Sequence, residues 1–130
     1  MRYPCGGLLL AFVALCAAPA LRAHHSVAGQ FDTTKPITLK GVVSKIEWIN
    51  PHVYVYLDVK DDEGSVTTWA LSTLPTAMMR RAGLTKEALM GKAGEVVTIA
   101  AIPARDGTKH LGWISKITYG DGHYHQLAGQ

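Results

Sequence analysis

The sequence predicts an all-β domain with one short helix, a small five-stranded Greek-key barrel like the OB-fold. Three observations carry that prediction. Five stretches rich in β-branched and aromatic residues are bounded by Gly, Pro and Asx turn signals. One of them alternates strictly between apolar and polar side chains. A single main helical stretch, stopped by glycine, falls between the third and fourth. A plain five-stranded β-sandwich is the rival arrangement.

Residues 24–36 read as a polar, irregular N-terminal arm, and the domain proper as 37–119. Ile37 to Ile49 is a long strand bent at Gly41. Asn50-Pro51 turns the chain, with Asn50 held extended by the proline ring that follows it. In His52 to Val59, Val53, Val55, Leu57 and Val59 share one face; His52, Tyr54, Tyr56 and Asp58 share the other. Asp61-Asp62-Glu63-Gly64 turns into a third strand, Val66 to Leu71. Leu74 to Ala82 reads as the helix, with Gly83 as its stop, and Thr85 to Leu89 as a further short turn. Val96 to Ile102 and His110 to Tyr119 are the last two strands, joined through Arg105-Asp106-Gly107. Gly120-Asp121-Gly122 then releases a C-terminal tail, 120–130.

The chain has 130 residues, 48% hydrophobic and 18% charged, which fits one small domain, excludes a collagen repeat and argues against disorder. Residues 1–23 read as a secretory signal peptide: Arg2, an apolar run from Leu8 to Ala18, and small Ala23 at the cleavage position. Ala18-Pro19-Ala20 offers an earlier cut, and a lipoprotein anchor at Cys16 fits less well because bulky Leu15 precedes it. The expected location is therefore periplasmic or secreted, with no transmembrane segment in the mature chain. Cleavage after Ala23 removes Arg2 and Arg22 from the 13 Lys and Arg, leaving 11 against 10 Asp and Glu. A net charge so near zero argues against nucleic acid as a partner. Cys5 and Cys16 go with the leader, so the mature chain has neither thiol nor disulfide.

All six histidines lie in the mature part. A cut after Ala23 gives His24 a free α-amine, and an amine and an imidazole on one residue chelate a metal as a ring. A second imidazole, from His52 or His25, completes a T-shaped set known as a histidine brace. Nitrogen-only ligands of this kind favour Cu(II). His52 begins the alternating strand on its polar face, with Tyr54 and Tyr56 beyond it and Trp48 and Asn50 flanking the turn as candidate supports for the imidazole. His110, His123 and His125 form a weaker set, His123 and His125 being spaced to share one side of an extended segment. Met78, Met79 and Met90 read as core filler rather than soft ligands. Arg80-Arg81 reads as a solvated helix end, and the 61–64 carboxylates as a turn rather than a calcium loop. No nucleophile elbow, phosphate loop or dinucleotide fingerprint occurs, so no catalytic residue is expected.

Ala23-His24-His25-Ser26, Phe31-Asp32, Leu39-Lys40-Gly41-Val42-Val43, Glu47-Trp48-Ile49-Asn50-Pro51-His52 and Pro103-Ala104-Arg105-Asp106-Gly107 together resemble an uncharacterised family. Its members are small exported proteins of Gram-negative bacteria, catalogued as a domain of unknown function. The resemblance covers essentially the whole mature chain and implies export and a small β-barrel, with no established activity. His24, His25, Asn50, Pro51 and His52 match its pattern. Ser72 lies near a place where that pattern carries an acidic residue, and Leu84 stands where it carries Trp.

The leading expectation is a periplasmic protein holding copper through His24, His52 and His25. The alternative is a non-catalytic OB-type interaction module that binds a protein, peptide or small ligand across Tyr54, Tyr56 and Trp69. A copper oxidase of brace type ranks third, because so small a chain leaves little substrate surface. Whether the N-terminal arm runs toward His52 or out into solvent discriminates the first two.

Overall fold

The structure is a computed structural model and describes residues 26–127. The expected signal peptide and His24 and His25 lie outside the described residues. So do the final three residues.

One antiparallel turn of sheet after another closes into a barrel. After a single helical turn, α1 (Val27–Gln30), come β1 (Ile37–Ile49), β2 (His52–Lys60) and β3 (Val66–Pro75). Two short helices follow, α2 (Thr76–Arg81) and α3 (Lys86–Met90), then β4 (Val96–Pro103), β5 (Leu111–Thr118) and β6 (Tyr124–Gln126). The strand order is β3-β2-β1-β4-β5-β6, and a parallel pairing of β3 with β5 closes the first five strands on themselves. That is an OB-fold-like barrel with one added edge strand, and the sandwich is excluded by the closure.

The long first strand serves two neighbours. Ile37–Val42 pair with β4 and Val42–Ile49 with β2, so β1 bends from one half of the barrel into the other. Gly41 sits at that bend because a Cβ there would come within 2.3 Å of the Asp58 carbonyl oxygen. A register shift between Val43 and Lys45 places Ser44 as a bulge, and its hydroxyl donates to the Tyr56 carbonyl.

The alternation predicted for β2 is present. Val53, Val55 and Leu57 are fully buried in a core completed by Ile46, Leu71, Ile99, Ile114 and Ile117. The helices between β3 and β4 each drop one apolar plug into the barrel, Met79 from α2 and Leu89 from α3. The Tyr119 hydroxyl donates to the carbonyls of Ala88 and Leu89, which fixes α3, and burial pushes the Tyr119 phenol up to about 12.

Three elements differ from the sequence reading. The third strand runs on to Pro75, so the helix starts only at Thr76. Residues 120–127 are no loose tail: β6 pairs with β5, and Leu127 is fully buried. The arm is no free polar lead either, since Phe31 is buried and bridges to Ala104.

Replacing Gly41 by alanine drives a Cβ into backbone on β2, which no rotamer relieves. We expect a loss of about 3 kcal/mol, read from the urea unfolding midpoint. An unchanged midpoint would show that β1 can bend elsewhere.

Candidate functional site

The register across three strands builds the site. Tyr54 on β2 pairs with Ser72 on β3, and Ser72 pairs with Trp113 on β5, so the three stand in one row on the outer face of the barrel. The N-terminal segment lies over this row. The Phe31 ring meets that of Trp113 at 5.9 Å, which buries both. The indole Nε1 of Trp113 is buried with no hydrogen-bond partner among the described residues.

Between segment and barrel is a cavity of about 270 Å³, lined by Val27 and Phe31 on one side and by His52, Tyr54, Ser72 and Met78 on the other, with Trp113 below.

Backbone and one arginine clamp the segment in place. The Asp32 N–H donates to the Pro103 carbonyl and the Arg105 N–H to the Gln30 carbonyl, both at 2.9 Å. The Arg105 guanidinium adds bonds to the carbonyls of Ala28 and Phe31. Ser26 caps α1 by accepting from the Gly29 N–H. Two sequence blocks that lie more than seventy residues apart, Phe31-Asp32 and Pro103-Ala104-Arg105, thus meet as one joint.

His52 stands exposed at the cavity rim. The turn before it is held from α2: the Thr76 N–H donates to the Pro51 carbonyl and the Thr76 hydroxyl to Asn50 Oδ1. Asn50 therefore anchors the turn through Thr76. The Asn50–Pro51 peptide is cis.

The other expected site residues are scattered. Trp48 pairs with Val53 and packs against the core, on the face opposite the outer row, so it gives His52 no support. Trp69 pairs with buried Leu57 and likewise faces the core side, so Tyr54, Tyr56 and Trp69 form no common ligand strip. Tyr56 is engaged too: its hydroxyl donates to Glu47, and Lys45 bridges to the same carboxylate and lies over the phenol ring. The two contacts hold the Glu47 carboxyl below the usual carboxylate range. Tyr54 alone of the three lines the cavity. His110 sits in the turn before β5 with its ring edge-on to Trp69, at the far end of another element.

His123 and His125 do share one side. Their rings are 5.7 Å apart, His123 stacks on Tyr119, and its Nδ1 hydrogen-bonds Asp121. No group of three or more His, Cys, Asp or Glu side chains close enough to hold a metal occurs among the described residues. No helix among them is long and apolar enough to cross a membrane.

The sequence profile of a family of unknown function, DUF6152, matches residues 12–113. The chain belongs to this family. The family span takes in His24, His25, His52, Met78 and Trp113, and it ends before β6. No curated protein and no solved structure matches the chain.

Sequence reasoning missed Met78 and the docking of the arm. The signal for the second was present in the pairing of an isolated aromatic, Phe31, with an arginine turn far downstream. Nothing in the local pattern separates Met78 from Met79, since both lie on one short helix.

Two outcomes follow from this geometry. Arg105→Ala removes two side-chain bonds to the segment while leaving the barrel core untouched. The amides of Phe31 and Arg105 should lose about 1–2 kcal/mol of exchange protection, with the β2 amides unchanged. At the other end, burial pushes the His125 imidazole down from 6.5, and neighbouring His123 acts in the same direction. The unfolded chain then takes up a proton before the folded one does, so the stability of β6 is full above 6.5 and falls as the pH drops below it. Asp121, lowered from 3.8 by the backbone N–H and ring of His123, adds a further loss in stronger acid. Protection of the Leu127 amide should therefore fall between pH 7 and 5, and His125→Phe should flatten that response.

Proposed function

We propose that this is a copper-binding protein, with Cu(II) held by the amine and imidazole of His24 together with His52, and with His25 as a further donor. The observation that carries the reading is that Val27 and His52 line one cavity. His24 is three residues before Val27, a span of at most about 11 Å even when fully extended. The arm is docked against the barrel beside His52, which favours the metal reading over a module with a free arm. The dispersal of Tyr56 and Trp69 weighs against the aromatic-strip alternative.

The reading requires export and cleavage after Ala23, since a peptide bond ahead of His24 would consume the amine. The protein's role is sequestration or delivery in the periplasm: the cavity lining offers no carboxylate to act as acid or base. Both imidazole and amine must shed protons to bind, so affinity declines in acid.

The test begins with protein produced from the full chain, exported, and its N-terminus read by mass spectrometry. It should begin at His24 and bind one Cu(II), with nitrogen hyperfine structure in electron paramagnetic resonance. Inserting one alanine ahead of His24, or replacing His52 by alanine, should each weaken binding by about 100-fold, at least as much as loss of a supporting group typically costs. A different N-terminus, or binding indifferent to the insertion, overturns the reading.

A further inference from the structure

We propose that Met78 is a metal ligand, and that the cavity binds Cu(I) through the Met78 thioether and the His52 imidazole. The inference rests on the copper reading above and adds to it the reduced ion and the residue that holds it.

The two methionines of α2 have opposite fates. Met79 is fully buried and fills the barrel, as a core methionine should. Met78, one residue earlier, is 49% exposed and lines the cavity that His52 also lines. An exposed thioether gains little from packing, so core filling does not account for its place. The helix that carries it is tied to the His52 turn, because Thr76 binds both Asn50 and Pro51. Met78 and His52 are thus set by one joint, not by two independent loops.

The donor set around the cavity points to the ion. It comprises an imidazole, a thioether, the hydroxyls of Tyr54 and Ser72 and the amide of Gln30, with no carboxylate and no thiol. Without carboxylates the cavity does not suit magnesium, calcium or manganese, which want oxygen anions. Without thiolates it does not suit a structural zinc. Neutral nitrogen and sulfur donors suit a monovalent soft ion, and thioether selects Cu(I). The remaining walls, Val27, Phe31, Leu74, Pro75 and Trp113, are apolar apart from the Trp113 indole N–H and favour an ion of low charge. Only binding of each oxidation state is inferred; no electron transfer is part of it.

The experiment measures Cu(I) affinity anaerobically by competition with bicinchoninate, and Cu(II) affinity in parallel, on protein produced from the full chain. Met78→Leu, a swap at an exposed position that keeps the volume, should lower Cu(I) affinity about tenfold or more and leave Cu(II) affinity within about threefold. His52→Ala should weaken both. Silver(I), a redox-inert stand-in, should shift the Met78 methyl resonance and leave that of Met79 in place. Unchanged Cu(I) affinity in Met78→Leu, or an unmoved Met78 methyl, overturns this inference even when Cu(II) binds as proposed. Cu(I) binding that needs Met78, in a protein whose Cu(II) binding ignores the insertion ahead of His24, supports it while the amine reading fails.

Discussion

Closure of the barrel comes down to three residue pairs between β3 and β5, Ala70 with Leu111, Leu71 with Gly112 and Ser72 with Trp113. They are the only parallel contacts in the sheet of the described residues, and each spans some forty residues of chain. Gly112 is wedged at this seam: a Cβ there would lie 3.2 Å from the Leu71 side chain on β3 and 2.9 Å from the Ile102 carbonyl oxygen on β4. Everything proposed for the site depends on this seam. It brings Trp113 alongside Ser72 and Tyr54, gives Phe31 a surface to cover, and so determines where the N-terminal segment lies. Without closure, β5 and its edge strand β6 would lie at the far end of the sheet from β3, and the segment would have no seat beside His52.

The covering segment also changes the electrical character of the surface beneath it. Elsewhere the outer face carries ion pairs and charged hydrogen bonds, such as Lys45 with Glu47 and Asp58 with Thr68. Under Val27 and Phe31 these give way to apolar walls and neutral donors. An OB barrel ordinarily leaves its second and third strands open as a platform. Here part of that platform is roofed by the chain's own start, and a shallow face becomes a pocket. The roofing is costly at one point, the unpartnered indole N–H of Trp113, where desolvation of a donor runs to about 1–3 kcal/mol.

The strands were legible in the sequence because each is a local pattern. β1 was readable from end to end, and the alternation in β2 marked which side chains enter the core. What local pattern does not encode is which side of the sheet a neighbouring strand presents. Trp48 and Trp69 looked like companions of His52 and Tyr54, yet cross-strand pairing with Val53 and Leu57 turns both toward the core. The same limit explains the tail: three residues, Tyr124 to Gln126, are too few to show a period, and their strand exists only because β5 offers an edge. Met78 and Met79 were indistinguishable for a related reason. On a helix of six residues, which of two neighbours faces inward is decided by how the helix is seated, and the Thr76 bonds to Asn50 and Pro51 decide that.

Leu127, the last described residue, is wholly enclosed in the core, and its N–H is bonded to Ser115. This bears on the order of events in synthesis. While a ribosome still holds residues 124–127, the barrel lacks a core side chain and the strand that carries it into place. Folding N-terminal parts first, as nascent chains often do, yields here only an unsealed intermediate with apolar surface on view. The sealed core becomes accessible only after Leu127 has emerged, so the strands before it pass through an open interval before they can lock.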